Sequence, residues 1–207
     1  MRELVHSGQY KFVWHVGYKS QEMEIDMEPI KRLKRELVHK GAVVDFYADT
    51  VELGGEVAVW DFVHHNGAAA VIAVDNDGKI LMVRQYRNAL DRFTLEIPAG
   101  KLDSPDEPTL ECATRELEEE TGFKAGKIEY LLTINTTVAV CDEKIDIYLA
   151  TDLSKGEIHL DPMEEINVEK YELSELQEMI FKGELRDSKT VAAINTYAAL
   201  LYKNMSR

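Results

Sequence analysis

The chain has 207 residues, of which 45% are hydrophobic and 30% charged, a composition typical of a folded protein with a sizeable core. Its 24 basic and 38 acidic residues give a net charge of −14, which argues against general binding to nucleic acid phosphates or to anionic membranes. An anionic substrate must therefore meet cations that are placed locally in its binding site.

The two cysteines, Cys112 and Cys141, are far apart in the sequence, so neither a disulfide framework nor a zinc site is predicted. The longest purely apolar run covers residues 68–74, much shorter than the roughly 18 residues of a membrane span. The first residues lack the apolar core of a secretory signal. We therefore expect reduced thiols and a cytoplasmic location.

The N-terminal part of the chain falls into two segments. Residues 1–28 show no strong periodicity and are assigned to an extension of unknown structure. Residues 43–53 are rich in β-branched and aromatic side chains, and after a Gly54-Gly55 turn residues 57–64 predict the return strand of a hairpin. Ala58, Trp60 and Phe62 share one face of that strand. Residues 29–65 are thus predicted to form a small β subdomain.

The remaining elements alternate between strands and helices. Strands are predicted at residues 68–74, 80–86, 93–97, 128–135, 145–150 and 166–171, and helices at 108–121, 174–182 and 187–205. Pro108 fits the first turn of the first helix and Gly122 its C-terminal stop. The buried stripe of this helix is predicted to comprise Leu110, Ala113, Thr114 and Leu117. The fold class is α+β.

Three carboxylates crowd one face of the first helix, because Glu116, Glu119 and Glu120 lie three and four residues apart. Two carboxylates about 5 Å apart repel by roughly 3 kcal/mol at an effective dielectric of 20. Such proximity is tolerated on a wet surface, where Arg115 would pair with Glu119, and it is useful around a cation. Carboxylate oxygens suit Mg²⁺ or Mn²⁺. The spacing alone favours the solvated surface.

The flanking residues change this interpretation. Residues 100–123, GKLDSPDEPTLECATRELEEETGF, resemble the Nudix box: Gly, five residues, Glu, seven residues, then Arg-Glu-apolar-any-Glu-Glu-any-Gly-apolar. Six residues rather than five separate Gly100 from Glu107, and everything from Glu107 onward is in register. The segments LMVRQYR at 81–87 and LEIPAG at 95–100 are similar to the ADP-ribose pyrophosphatase branch of this family.

The resemblance implies an architecture. In that branch an α/β/α sandwich surrounds a mixed sheet, and a preceding β subdomain is exchanged between two chains. Residues 29–65 would then serve dimerisation and substrate contact, and residues 66–207 would form the Nudix hydrolase domain. We expect a homodimer with exchanged N-terminal strands.

The resemblance also implies the catalytic parts. Arg115 would orient the carboxylate cluster, in which Glu119 is a catalytic candidate. An acid is expected from the loop at residues 161–165, DPMEE, where Glu164 is chosen over Glu165 as the base or late metal ligand. The implied metal ligands are Ala99, through its backbone carbonyl, Glu116, Glu119, Glu120 and Glu164.

Substrate contacts are expected from two regions. Arg84 and Arg87 are predicted to point to one strand face, where guanidinium groups grip phosphate. Trp60 is a candidate for stacking the base, with core packing as the alternative. The other implied contacts are Glu96 and His65, the latter at a position where relatives often carry arginine.

The implied reaction is Mg²⁺-dependent hydrolysis of a nucleoside diphosphate sugar, with Mn²⁺ as the alternative metal. The expected substrate is ADP-ribose, which would give AMP and ribose 5-phosphate. One alternative is another sugar nucleotide such as GDP-mannose. The other is a non-catalytic ligand sensor on a Nudix scaffold, against which the complete set of Arg115, Glu116, Glu119 and Glu120 argues. No nucleic acid or membrane partner is expected.

Overall fold

The computed structural model describes residues 29–160 and 165–206, together with the backbone of residues 4–6 and 9–11. The backbone of residues 4–6 and 9–11 forms a short antiparallel pair of strands, β1 (Leu4–His6) and β2 (Gln9–Lys11). No helix in the described part of the chain is long and apolar enough to cross a bilayer.

A three-stranded antiparallel sheet precedes the main domain. It consists of β3 (Lys31–Lys40), β4 (Val44–Leu53) and β5 (Glu56–His65), in that order. The predicted hairpin is confirmed, since Leu53 pairs with Glu56 and both glycines of the turn have positive φ, at 60° and 84°. β3 was not predicted because its sequence is highly charged. Such lysine- and arginine-rich strands are typical of sheet edges.

The main sheet is mixed and has seven strands. Its path is β10 (Phe123–Asn135), β11 (Lys144–Lys155), β6 (Ala68–Val74), β7 (Ile80–Arg87) and β12 (Ile166–Tyr171). β8 (Arg92–Glu96) pairs with β7, and β9 (Ala99–Lys101) pairs with β6. Only the β6–β11 pair among these ladders is parallel.

Helices cover both faces of this sheet, which confirms the expected sandwich. β6 is buried along its whole length. Its even-numbered residues pack against α2 (Leu173–Phe181) and α3 (Ser188–Met205), and its odd-numbered residues pack against α1 (Thr109–Thr121). Full burial on both faces explains why its sequence, AAAVIAV, is continuously apolar.

Helix α1 ends as predicted and begins one residue later than predicted, with Pro108 as its N-cap rather than in its first turn, but its buried stripe is rotated. Leu110 is 43% exposed and Thr114 is exposed as well, so these two predictions are wrong. The buried side chains are Cys112, Ala113, Leu117, Glu120 and Thr121. The small Cys112 and Ala113 side chains face the sheet, and the helix is turned toward its acidic side. This rotation brings Glu120 to the sheet surface.

Strands β10 and β11 are longer than predicted. Gly126 interrupts the apolar pattern of β10, yet the strand continues through it. A Cβ at this position would meet Asp152 on β11 at 2.9 Å, so the absence of a side chain allows the two strands to approach closely here. Asp152 itself has a left-handed backbone with φ 56°.

The N-terminal sheet joins the main domain through the end of β5. Val63 N–H donates to Val140 O at 2.7 Å, and Asp142 N–H donates to Val63 O at 3.2 Å. His64 Nδ1 lies 2.8 Å from Asp142 Oδ2. These contacts fix the last residue of β5, His65, beside the main domain.

Candidate active site

A cavity of about 560 Å³ opens beside the acidic side of α1. Its walls come from α1, from β9, from the ends of β5 and β11, and from the first residues of α3. Of the predicted site residues, the cavity brings together His65, Arg87, Ala99, Arg115, Glu116, Glu119 and Glu120.

Arg115 is the centre of the acidic cluster. Its Nη1 donates to Glu116 Oε1 at 2.6 Å and to Glu119 Oε2 at 3.0 Å. Its Nε and Nη2 donate to Glu107 Oε1 at 3.4 and 3.3 Å. Burial alone would lower the pKa of Arg115, but the hydrogen bond and charge of Glu116 and the hydrogen bond of Glu119 raise it above its usual value. One guanidinium thus offsets the repulsion between three carboxylates.

Glu120 is held from the other side. The backbone N–H of Ala99 donates to Glu120 Oε2 at 3.0 Å, and Glu120 is buried. The segment that carries Ala99 is fixed by two bonds, from Val71 N–H to Pro98 O at 2.9 Å and from Ile97 N–H to Thr190 Oγ1 at 3.0 Å. The backbone around Ala99 is therefore placed against the end of α1.

Gly100 adds a close contact to this arrangement, because a Cβ on Gly100 would overlap the carboxylate of Glu116. Within the described residues, no three His, Cys, Asp or Glu side chains already converge as a ligand set. The chemistry of the donors fits a divalent cation nonetheless, since Glu116, Glu119 and Glu120 present hard oxygen atoms to one cavity.

Another part of the cavity lining, here called the cationic wall, carries Arg87 and Lys189. Arg87 donates to both Glu96 oxygens at 2.8 Å, and Lys189 Nζ donates to Glu96 Oε2 and, at 3.0 Å, to Asp187 Oδ2. Arg87 and Lys189 both line the cavity, whereas Glu96 is only 3% exposed. Glu96, predicted as a substrate contact, is occupied in holding these two cations and Thr94 Oγ1, which lies 2.6 Å away.

The environment of Glu96 keeps it ionised. Burial would raise its pKa, but hydrogen bonds from Arg87 and Lys189, together with the Lys189 charge, hold the pKa well below its ordinary value. Lys189 was missed by sequence reasoning. A signal was present, because a lysine in the first turn of a helix opposes the helix dipole and therefore needs a separate reason to be there.

The prediction that Arg84 and Arg87 share a strand face is wrong. Residues three apart point to opposite faces of a strand. Arg84 Nε donates to Glu169 Oε1 at 2.6 Å, and Arg84 is not part of the lining of the cavity that holds Arg87. This pairing, followed by the hydrogen bond from Tyr171, lowers the pKa of Glu169 to about 2.

Of the other predicted site residues, Trp60 is not part of the cavity lining, and Glu164 lies outside the residues that the structure describes. Trp60 is 48% exposed on the N-terminal sheet, so core packing does not account for it within the chain. Its face also carries Arg35, whose Cζ lies 3.5 Å from the ring centroid of Phe62. Glu164 falls outside the described residues, and Glu165 is exposed.

Cys112 lies beneath the acidic cluster as a packed thiol. Its Sγ is 3.5 Å from Lys101 O and 3.6 Å from Gly100 O. Burial, followed by the charge of Glu116, raises its pKa to about 12. This thiol is therefore a neutral packing group.

Comparison with known proteins identifies the surrounding family. The sequence profile of the NUDIX domain matches residues 63–194. The methanol dehydrogenase activator of Bacillus methanolicus is 41% identical over 167 residues, which cover 79% of this chain and 90% of that protein. The ADP-ribose pyrophosphatase of Bacillus subtilis is 39% identical with the same coverage.

Two other matches extend this result. The ADP-ribose pyrophosphatase of Mycobacterium tuberculosis is 34% identical over 175 residues, which cover 83% of each chain. A crystal structure described as an ADP compounds hydrolase superimposes with a TM-score of 0.76 and 22% identity, covering 86% of this chain and 97% of that chain. At 22% identity, the similarity to this crystal structure concerns the fold alone.

Proposed function

The chain belongs to the Nudix hydrolase family, and on that premise we propose that it hydrolyses the diphosphate of ADP-ribose to give AMP and ribose 5-phosphate. The observation that carries the proposal is the cavity itself, whose lining combines an Arg115-centred carboxylate cluster with the cations Arg87 and Lys189. Such a cavity has places both for a metal ion and for the negative charge of a diphosphate.

The binding step uses the cationic wall. Arg87 and Lys189 are fixed by Glu96, so their side chains are already ordered before substrate arrives. Ordered donors lose little entropy on binding, which favours both affinity and orientation. They also give a diphosphate a local attraction despite the net charge of −14.

We propose Glu116, Glu119, Glu120 and the Ala99 carbonyl as the residues that hold a divalent cation, with Mg²⁺ preferred over Mn²⁺. Nudix hydrolases generally depend on divalent metals. When bound, such a cation would neutralise phosphate charge and make a water molecule more acidic. Arg115 keeps the helical carboxylates together while the site is formed.

The proton of the attacking water needs a carboxylate acceptor, and we propose Glu164 for this role, with Glu119 assisting. The water oxygen forms a bond to one phosphorus while the bond from that phosphorus to the bridging oxygen breaks. The bridging oxygen leaves with the other phosphate.

We further propose a homodimer in which the N-terminal strands are exchanged. In the single chain β5 exposes large apolar side chains on both of its faces, Val57 and Val59 on one and Trp60 on the other, and Leu37 on β3 is exposed as well. Exposed apolar surface of this kind is typical of an interface. In the exchanged dimer, Trp60 would stack the base in the partner's site.

Hydrolysis of a substrate panel tests the activity. ADP-ribose, GDP-mannose and other sugar nucleotides would be incubated with the protein in Mg²⁺ or in EDTA, and products separated by chromatography. We expect AMP and ribose 5-phosphate from ADP-ribose in Mg²⁺ only. Faster cleavage of GDP-mannose would assign a different substrate, in line with a GDP-mannose pyrophosphatase of Salmonella that is 33% identical over 144 residues. Binding without cleavage would indicate a sensor.

The Glu120→Gln variant is the control for this assay. It keeps the size of the side chain and an acceptor oxygen for Ala99 N–H while removing the negative charge. We expect turnover to fall by about a hundredfold or more, as for loss of a group that stabilises transition-state charge, with an unchanged circular dichroism spectrum. Near-normal Mg²⁺-dependent turnover in the folded variant would remove the metal-site proposal.

A second candidate function follows from the Bacillus methanolicus relative, which is 41% identical to this chain. Its name assigns it to activation of methanol dehydrogenase. Adding this protein to a methanol dehydrogenase assay distinguishes the candidates, since a pyrophosphatase without that role would leave the dehydrogenase rate unchanged.

A further inference from the structure

The end of the cavity nearest β5 has a different chemical character from the cationic wall. His65 is the last residue of β5, and its side chain is only 8% exposed. Its backbone N–H donates to Asp142 Oδ1 at 2.9 Å. The imidazole is thus held at the cavity edge by a fixed backbone.

A single hydrogen bond sets the orientation of the ring. Gly67 N–H donates to His65 Nδ1 at 3.0 Å. Because Nδ1 acts as the acceptor, the neutral ring carries its proton on Nε2. His65 Nε2 has no hydrogen-bond partner among the residues that the structure describes. Nε2 is not among the buried polar atoms that lack a partner in the described residues, and His65 lines the cavity. This donor is therefore held in place by the ring and is open to a molecule that binds in the cavity.

The neighbours of His65 indicate which ligand. Glu143 Oε1 lies 3.6 Å from His65 Nδ1, and Thr136 Oγ1 donates to Glu143 Oε2 at 2.5 Å. Thr137 also lines this end of the cavity. A carboxylate repels phosphate but accepts hydrogen bonds from hydroxyl groups. This corner, formed by His65, Thr137 and Glu143, suits a neutral polyhydroxyl group.

We propose that the His65 corner binds the hydroxyl groups of the non-adenosine sugar of the substrate, with His65 Nε2–H donating to one hydroxyl oxygen and Glu143 accepting from another. The proposal rests on the proposed function. It makes His65 a determinant of sugar specificity, whereas Arg87 and Lys189 attract the diphosphate. In this arrangement Trp60 stacks against the base.

Two substitutions at one position separate binding from structure. In His65→Asn, the amide oxygen replaces Nδ1 as acceptor for Gly67 N–H, but the donor to the cavity is lost. In His65→Gln, the amide nitrogen replaces the Nε2 donor, but the Gly67 bond is lost. His64→Asn is the matched control, because His64 is half exposed and is not part of the cavity lining.

Isothermal titration calorimetry with ribose 5-phosphate alone and with AMP alone, each in Mg²⁺, measures binding to the His65 corner. Both ligands are products, so no hydrolysis occurs during the measurement. Loss of one net hydrogen bond predicts an affinity for ribose 5-phosphate about five- to tenfold weaker in His65→Asn. AMP affinity should be unchanged, His65→Gln should recover most of the loss, and His64→Asn should match the wild type.

The outcomes distinguish this inference from the function on which it rests. Four results would contradict the proposed role of His65 while chromatography still shows ADP-ribose cleavage. In His65→Asn these are equal losses of affinity for both ligands, a loss confined to AMP, or an unchanged affinity for ribose 5-phosphate. The fourth is that the wild type does not bind ribose 5-phosphate. Failure of the proposed function appears instead as absence of AMP in the chromatographic assay.

Discussion

Gly100 lies directly against the carboxylate of Glu116, so that a Cβ on Gly100 would overlap the carboxylate atoms. Gly100 belongs to β9 and Glu116 to α1, and both residues line the cavity. The glycine at the start of the motif is therefore required by space, because its backbone φ is not in the left-handed region.

Gly100→Ala is expected to displace the Glu116 carboxylate while leaving the backbone in place. The carboxylate is at the free end of a flexible side chain, so the fold should adapt at little cost. Misplacement of a catalytic group by about 1 Å costs roughly a hundredfold in rate, and we expect a loss of that size in kcat. Steady-state kinetics and thermal unfolding measure the two effects separately.

Gly78→Ala is the matched control for this prediction. Gly78 lies in the turn between β6 and β7 with φ 83°, and nothing would contact its Cβ within 4 Å. The substitution should lower stability through backbone strain of about 1 kcal/mol and keep kcat. A Gly100→Ala protein with normal kcat, or one that unfolds more readily than Gly78→Ala, would contradict the steric argument.

Glu96→Gln is expected to destabilise the protein strongly, because it leaves Arg87 and Lys189 without their shared counter-charge. Breaking a buried ion pair by removing one partner costs about 3–5 kcal/mol. For a chain of this size each kcal/mol shifts the melting temperature by about 2–4 °C. Thermal unfolding at neutral pH measures this difference against the wild type.

Glu169→Gln offers a matched comparison, because Glu169 also binds an arginine through both oxygens. Its side chain is 23% exposed, against 4% for Glu96. The more accessible carboxylate and its arginine can be hydrated when the pair is broken, whereas the groups around Glu96 cannot, so the loss at Glu169 should be smaller than the loss at Glu96. Equal losses in the two variants would show that burial does not decide the effect.

The ion pairs of Glu96 also predict how the stability of the protein depends on pH. The folded pKa of Glu96 is depressed, so its contribution is fully present above the unfolded value of about 4.3. It is lost as the pH falls from there toward the folded pKa. The stability gap between wild type and Glu96→Gln should therefore be constant from pH 7 to about 5 and shrink below about pH 4.

The sequence was sufficient to predict the acidic cluster and Arg87, but it did not predict Lys189, the second cation of the cationic wall. The helical spacing of Glu116, Glu119 and Glu120 is a local property, and a motif read along one helix locates it. The contact of Lys189 with Glu96 joins residues 93 positions apart. Such a contact depends on how α3 packs against the sheet, which no local pattern contains.

The same distinction explains the errors. The buried stripe of α1 was predicted from hydrophobicity, whereas the helix turned toward its acidic side because small residues allow close packing there. Arg84 and Arg87 were placed on one strand face by counting them as alternating with Gln85 and Tyr86, but residues three apart in a strand point to opposite faces. The role of Gly100 against Glu116 needed coordinates.

Glu164→Gln is expected to lower kcat more than it raises KM, because a proton acceptor acts mainly in the transition state. Loss of a general base typically costs about a hundredfold to ten-thousandfold. Glu165→Gln is the neighbouring control, and it should keep kcat within about threefold, as expected for a side chain outside the chemistry. A larger loss in Glu165→Gln would move the assignment by one residue.

The exchanged dimer predicts complementation between two defective chains. Trp60→Ala should weaken ADP-ribose binding, since stacking on an aromatic ring contributes about 1–3 kcal/mol per base. Glu120→Gln should abolish turnover. Mixed dimers of the two variants can be prepared by denaturing and refolding differently tagged chains together and purifying through both tags. Each parent homodimer serves as its own control.

In an exchanged dimer, one site of the mixed species receives Trp60 from the Glu120→Gln chain and keeps its own Glu120, so it is intact. The other site carries both defects, and about half of the wild-type activity should remain. If Trp60 and Glu120 serve a site within one chain, each site carries one defect, and little activity remains when the assay is run at an ADP-ribose concentration well below KM, where weakened binding lowers the rate. Low activity in the mixed dimer, or an active monomer in sedimentation experiments, would therefore contradict the exchange. Trp60 would then contribute to a surface of its own chain, and the apolar face of the N-terminal sheet would need a different cover.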